Sequence, residues 1–292
     1  MAMQVHHQRG AEKIAARDGH RREGREDVMG SVDCAIVTGA GRGIGQGVAL
    51  ELALAGARVL AVSRTNTCQE TERKIKAGGG EAEALQIDLA DPRRVEQAIL
   101  SWLREHPSKK IAVVLAAGVV GPKGPLLEAD LADWLNCYAV NVVGNLAVVK
   151  GALPTMLNSR FGRIVGFAGG GSAYAYPLFP AYSAAKTAMV RAIENLHEDL
   201  AGKGDFAAVC LAPGAVETDM LQSIRQAGAE VRTTVAMSEP VAFVRDFVSA
   251  DRCSFSGCFV HVRDCWPKYL GTDEGLPSKT LWKLRRIEET RQ

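Results

Sequence analysis

A short apolar run at residues 34–37 leads straight into Thr38-Gly39-Ala40-Gly41-Arg42-Gly43-Ile44-Gly45, and the stretch that follows carries apolar residues at three- and four-residue spacing. This junction of strand, glycine turn and helix is the most constraining feature of the chain. Glycines at 39, 43 and 45 permit a tight turn and let another group approach the backbone closely. The residues entering the helix leave N–H groups without intrahelical acceptors, at the positive end of the helix dipole. Such a turn suits a phosphate, and a nucleotide is the expected ligand.

The same alternation runs on along the chain. Residues 58–62, 84–87, 111–115, 163–167, 206–211 and 257–262 read as further strands. Helical spacing predicts helices over 46–55, 93–103, 131–157, 181–200 and 240–248. Strands that are apolar on both faces belong in a parallel sheet covered by helices on each side. Right-handed crossovers then make the fold α/β and doubly wound.

Composition narrows the function classes. With 47% hydrophobic and 23% charged residues in 292, there is ample material for a core. No compositional break divides residues 31–263, which read as a single domain. The net charge of +2 makes no strong field, so nucleic acid is not an expected partner. The longest apolar run, around 111–120, falls short of the roughly 18 residues that span a bilayer, so no membrane is expected. Seven scattered cysteines read as reduced thiols of a soluble cytoplasmic protein. Cys253, Cys258 and Cys265 lie close together, but their spacing matches no zinc pattern, and no metal site is expected. Residues 1–30 carry six Lys/Arg, five Asp/Glu and three His without periodicity and read as a mobile arm, with Met29 a conceivable internal start. They hold no apolar core of a secretory signal. Residues 264–292 form an extension, aromatic and then basic, that packs on the domain or on a partner.

Further motifs stand in a consistent order. Tyr182-Ser183-Ala184-Ala185-Lys186 lies on a predicted helix, where four residues make about one turn and put both side chains on one face. Asn141-Val142-Val143-Gly144 precedes it, and Pro213-Gly214-Ala215-Val216-Glu217-Thr218-Asp219-Met220 follows it. Together with Thr-Gly-x-x-x-Gly-x-Gly, these resemble the short-chain dehydrogenase/reductase family over about residues 32–262. The resemblance implies a Rossmann-type sheet of about seven strands with helices on both faces. It also implies hydride transfer between NAD(P) and an alcohol or carbonyl.

By that resemblance Tyr182 is the acid/base, Lys186 binds the nicotinamide ribose, and Asn141 holds a water linking Lys186 to solvent. A phenol titrates at about 10 unless a neighbouring cation lowers it, and Lys186 is the expected cation. Thr38, Gly39, Gly41, Arg42, Gly43, Ile44 and Gly45 would cradle the cofactor phosphates. Asp88 and Leu89 would meet the adenine, Ala117 and Gly118 would leave the cofactor room, and Pro213, Gly214, Val216 and Thr218 would touch the nicotinamide. At the end of the second strand stand Ser63 and Arg64 where a carboxylate would accept ribose hydroxyls. With Arg42 they suit a 2′-phosphate, so NADP(H) is the expected cofactor.

Two departures stand out. The family's serine, thirteen or fourteen residues before the tyrosine, is replaced by Gly169 and Ala168. Ser172 is the nearest hydroxyl; it either enters catalysis or is a surface turn residue. Tyr174 and Tyr176 are expected to shape the pocket rather than to do chemistry. Leu115-Ala116-Ala117-Gly118 stands where the family shows Asn-Asn-Ala-Gly, so polar support for the Ala-Gly step is expected to be lost. The end segment faintly resembles sugar-related reductases, which points to a sugar-like or polyol substrate. The expected assembly is a homodimer or homotetramer built through the long helices, with His197 a candidate interface residue. Two rival readings stay open: a cofactor-holding relative with little catalysis, and an epimerase or dehydratase that recycles its cofactor.

Overall fold

A computed structural model describes residues 32–169, 171–231 and 233–286. The expected arm at 1–30 lies outside the described residues. Seven strands form one parallel sheet: β1 (Cys34–Thr38), β2 (Arg58–Ser63), β3 (Ala82–Gln86), β4 (Ile111–Leu115), β5 (Phe161–Phe167), β6 (Asp205–Ala212) and β7 (Phe259–His261). Their order, β3-β2-β1-β4-β5-β6-β7, reverses direction between β1 and β4. Crossovers from β1 go outward one way and from β4 the other, so the strand ends part there and open a crevice.

Alternate residues of each strand feed two cores. Ala35 and Val37 of β1 join Val48 and Leu52 of α1 (Gly43–Leu54), Ile75 of α2 (Thr67–Ala77) and Phe243 and Phe247 of α8 (Ser238–Ser249). Cys34 and Ile36 face the other way, onto Ile99 of α3 (Pro92–Glu105), Val148 of α5 (Asn145–Ser159) and Met189 of α6 (Pro180–Leu200). Period-2 alternation with both faces apolar is what a sheet sandwiched between helices requires.

Three elements depart from the sequence reading. The helix α2 was not predicted, because only Cys68, Thr71 and Ile75 of its eleven residues are buried and the rest are mostly charged. Nor was α7 (Asp219–Gln226), a short helix capped by the Thr218 hydroxyl accepting from the Leu221 N–H at 3.3 Å. The helix predicted over 131–157 is interrupted: α4 (Leu131–Tyr138) passes through a π-helical turn, Ala139–Gly144, before α5 begins. This passage, Leu131–Ser159, is the one run among the described residues that is apolar and long enough to cross a membrane, and 61% of its most apolar window is buried inside the fold.

Past β7 the chain stays on the domain. Trp266 packs edge-on to Phe243 at 4.7 Å between centroids, and Trp282 packs against Phe255 and Tyr269. The Phe259 N–H donates to the Trp282 carbonyl at 2.7 Å, covering the outer edge of β7. Glu194 of α6, buried, is met by Arg191, Lys283 and Arg285. His197 is half-buried, and its Nδ1 lies 2.9 Å from the Ser256 hydroxyl, tying α6 to the loop before β7.

At the crevice, the Thr38 hydroxyl at the end of β1 donates to Asn145 Oδ1 at 2.8 Å and accepts from the Ala117 N–H at 3.0 Å. The Asn145 amide donates in turn to the carbonyls of Ala117 and Val140, both at 3.1 Å. Thr38 and Asn145 are fully buried. Asn145→Ala leaves several of these groups unpaired, at about 1–3 kcal/mol for a buried polar group. Thermal unfolding is expected to fall by about 2–4 °C per kcal/mol lost; an unchanged midpoint would show that the link carries no stability.

Candidate active site

The glycine turn is shaped by packing as much as by any ligand. Gly39 has φ 66°, and a Cβ there would come within 2.8 Å of the Ala117 nitrogen. A Cβ at Gly45 would run into the carbonyl of Gly39, so α1 starts hard against the end of β1. The first turn of α1 has no side-chain cap and no acidic residue. Its N–H groups at Gly43, Ile44 and Gly45 therefore face the crevice with the helix dipole behind them.

Arg42 and Arg64 flank this turn differently. Arg42 reaches Asp219 Oδ2 at 2.6 Å, both side chains exposed. An exposed pair of this kind contributes little and exchanges readily for another anion. Arg64 is exposed at the end of β2. The Ser63 hydroxyl donates to the Thr65 carbonyl at 2.6 Å and accepts from the Cys68 N–H at 3.2 Å, so it shapes the β2–α2 turn. Asp88 lies two residues beyond β3, its carboxylate accepting from the Ala90 N–H at 3.0 Å; Leu89 beside it is buried.

Tyr182 and Lys186 lie one turn apart on α6, 6% and 4% exposed. Lys186 Nζ donates to the Phe167 carbonyl at 2.9 Å and stands 5.7 Å from the centre of the Tyr182 ring. Burial holds the Lys186 ammonium down to about 8. Burial also pushes the Tyr182 phenol above its ordinary value, and Tyr176 and Cys137 push the same way. The expectation that Lys186 lowers the phenol is thus reversed. Desolvation disfavours the phenolate, and the ammonium is directed at a backbone carbonyl.

Asn141 sits in the π-helical turn, fully buried. Its amide donates to the carbonyls of Val119 and Cys137 at 2.8 and 2.9 Å, and its oxygen accepts from the Val119 N–H at 3.1 Å. The side chain is thereby spent on the backbone. A Cβ at Gly118 would lie 2.7 Å from the Asn141 oxygen and 3.5 Å from Lys186 Nζ, which puts this glycine between them. Polar support for the Ala117-Gly118 step is not lost, as expected from Leu115 and Ala116, but supplied by Thr38 and Asn145. Asn145 escaped the sequence reading, although its spacing of four from Asn141 on one helix was a usable signal.

A cavity of about 690 Å³ opens beside Tyr182. Ile44, Pro213, Gly214, Val216 and Thr218 line it on one side, with Gly169, Ser172, Tyr174 and Tyr176 among the rest. Ser172 is buried, and its hydroxyl donates to the Gly169 carbonyl at 2.9 Å and accepts from the Gly169 N–H at 3.0 Å. No cluster of metal-ligating side chains is present among the described residues.

Comparison with known proteins agrees with this geometry. The family model described as short chain dehydrogenase matches residues 33–229. A 3-oxoacyl-[acyl-carrier-protein] reductase from Synechocystis sp. is 30% identical over 65% of this chain and 76% of its own length. A crystal structure from Beutenbergia cavernae, assigned as an NAD(P)-dependent gluconate 5-dehydrogenase with NADP bound at low occupancy, is 30% identical. It superposes with a TM-score of 0.71 over 80% of this chain and 96% of that one. A metagenomic short-chain oxidoreductase in complex with NADP is 27% identical, with a TM-score of 0.67 over 80% and 98%. A matched motif order, a seven-stranded parallel sheet and a buried Tyr182–Lys186 pair lead to one conclusion: the chain belongs to the short-chain dehydrogenase/reductase family of NAD(P)-binding oxidoreductases.

Proposed function

We propose that the chain is an NADP-dependent oxidoreductase that interconverts a secondary alcohol and a ketone. The observation that carries this reading is Tyr182 in the cavity wall with Lys186 one turn behind it on α6. The donor set suits a dinucleotide, because the first turn of α1 offers N–H groups and no competing carboxylate. Thr38, Gly39, Gly41, Arg42, Gly43, Ile44 and Gly45 would hold its phosphates. Asp88, Leu89, Ala117 and Gly118 would flank the adenosine half, and Pro213, Gly214, Val216 and Thr218 the nicotinamide. When bound, the cofactor supplies or accepts the hydride.

This chain's own residues handle the proton and the oxygen. In reduction the Tyr182 hydroxyl gives its proton to the carbonyl oxygen, and in oxidation it takes the alcohol proton back. Burial keeps the phenol protonated but makes it a weaker acid, so proton transfer needs a cation brought to it. Lys186 would leave the Phe167 carbonyl to bind ribose hydroxyls. Asn141 would hold Val119 and so seat Gly118 beside Lys186. Ser172 would fix Gly169 against Tyr182 rather than meet substrate, because its one proton is committed to the Gly169 carbonyl. Substrates named for the relatives are carbonyl compounds or polyhydroxy acids, which is compatible with a sugar-like or polyol substrate here.

Exposed Leu127, Leu131 and Leu135 at and before α4 support a homodimer or homotetramer through the long helices. Free cysteines, five of them buried, support a reducing compartment such as the cytoplasm.

Three measurements test this reading. Tyr182→Phe is expected to abolish ketone-dependent NADPH oxidation, followed by absorbance, while NADPH affinity by fluorescence stays unchanged; retained turnover would overturn the acid/base role. NADPH should bind more tightly than NADH, and Arg64→Asp should erase the preference, at roughly ten- to a hundredfold for one charge-assisted phosphate contact. Equal affinities in the natural protein would exclude the 2′-phosphate site. In the cofactor-free protein, buried Lys186 carries its charge at a cost that is full below about 8 and relieved as pH rises toward the unfolded value of 10.5. The stability of wild type relative to Lys186→Met should therefore climb over that interval in chemical denaturation, and a flat difference would contradict it.

A further inference from the structure

A ketone oxygen gaining charge during hydride transfer needs more than one hydrogen-bond donor, and removing one such donor commonly costs on the order of a hundred- to a thousandfold in rate. Tyr182 supplies one. The usual second, a serine hydroxyl, is missing, since Ala168 and Gly169 occupy its place. Gly169 cannot simply be restored to serine, because a Cβ there would overlap the Tyr182 hydroxyl.

Most side-chain donors that line the cavity are committed elsewhere or exposed. The Ser172 proton goes to the Gly169 carbonyl, and the Gly169 N–H goes back to Ser172. The Thr218 hydroxyl donates to the Val216 carbonyl at 3.2 Å. Tyr174 is 72% exposed and Thr233 is exposed. His261 accepts the Arg263 N–H on Nδ1 at 3.1 Å, which leaves an Nε2–H beside Gly214, at the nicotinamide end.

Tyr176 remains. Its ring is half-buried and packs on the cluster that contains Phe179 and Tyr182. The Phe179 ring stands 5.7 Å away and the Phe179 N–H donates to the Tyr176 carbonyl at 3.1 Å, so both ends of the residue are held. Its Cβ abuts Gly171, where any side chain would collide with it. No hydrogen bond to a described residue engages its hydroxyl. Charge on the Tyr176 phenol acts on Tyr182, which places the two phenols in one electrostatic neighbourhood.

We infer that Tyr176, through its hydroxyl, is the second hydrogen-bond donor to the reacting oxygen, in place of the absent serine. The inference rests on the hydride-transfer reading. The glycine-rich segment makes room for it: with no side chain at 169 or 171, a larger residue further along can turn its phenol to the oxygen. The donor keeps its proton throughout and stabilises the developing charge, while Tyr182 transfers its own.

The test compares wild type, Tyr176→Phe, Tyr182→Phe and His261→Gln on a panel of ketones and hydroxyketones with NADPH, alongside thermal unfolding and NADPH affinity. Tyr176→Phe is expected to lower kcat roughly a hundredfold or more at unchanged unfolding temperature and NADPH affinity. The ring stays, so packing on Phe179 is kept. A Tyr176→Phe enzyme within threefold of wild type, while Tyr182→Phe is inactive, overturns the inference and leaves hydride transfer standing. A fall in His261→Gln without one in Tyr176→Phe overturns it in favour of His261. Full activity in Tyr182→Phe, or a wild type that binds NADPH but turns over nothing on the panel, removes the hydride-transfer reading and this inference with it.

Discussion

The hydroxyl of Thr38 is the point on which this structure turns. It sits where β1 and β4 part, gives its proton to Asn145 and receives the Ala117 N–H. One small polar group thereby joins the first strand, the loop after the fourth and the helix that follows the π-helical turn. In a fully buried setting each of these bonds must be made, since water is not available as a substitute. The glycine turn starts one residue later, and Gly39 lies against Ala117. The crevice walls are thus set by the same contact that closes the core beneath them.

From that point the site follows outward. The π-helical turn places Asn141 on Val119, which carries Gly118 up beside Lys186. Lys186 lies on α6 with Tyr182, and burial of both gives the pair its opposed electrostatics, an ammonium held down and a phenol held up. Such a pair is poised in the protonated phenol. It needs a new partner for the ammonium before the balance shifts, and the Phe167 carbonyl is the partner it has in this structure.

Much of this was legible in the residues. The sheet announced itself because strands buried on both faces leave few choices of residue, and the glycine turn because backbone approaches that close admit no Cβ. The helix that carries Tyr182 and Lys186 was legible through their spacing. What escaped had physical reasons. The α2 helix buries too little for a periodic signal, and it is held by the few residues that do enter the core, Cys68 and Ile75. The Arg42–Asp219 pair joins residues 177 positions apart, which no local pattern reveals. The fate of the Ser172 proton depends on how the loop folds back on Gly169, and the sequence could place the hydroxyl nearby without saying where it points. The direction of the Tyr182 shift likewise depended on burial, which outweighed a cation that spacing alone had seemed to make decisive.

The outer edge of β7 is sealed by the Trp282 carbonyl, and α6 is tied through Glu194 to Lys283 and Arg285. These partners lie more than twenty residues past the last strand. During synthesis the whole sheet emerges from the ribosome before its final edge can be covered. Until residue 285 is free of the exit tunnel, β7 presents unpaired backbone groups and the aromatic patch around Phe243 and Phe255 lacks its cover. A nascent chain in that state offers a template for another strand, so the emergence of residues 282–285 is also the step that makes this edge inert toward its neighbours.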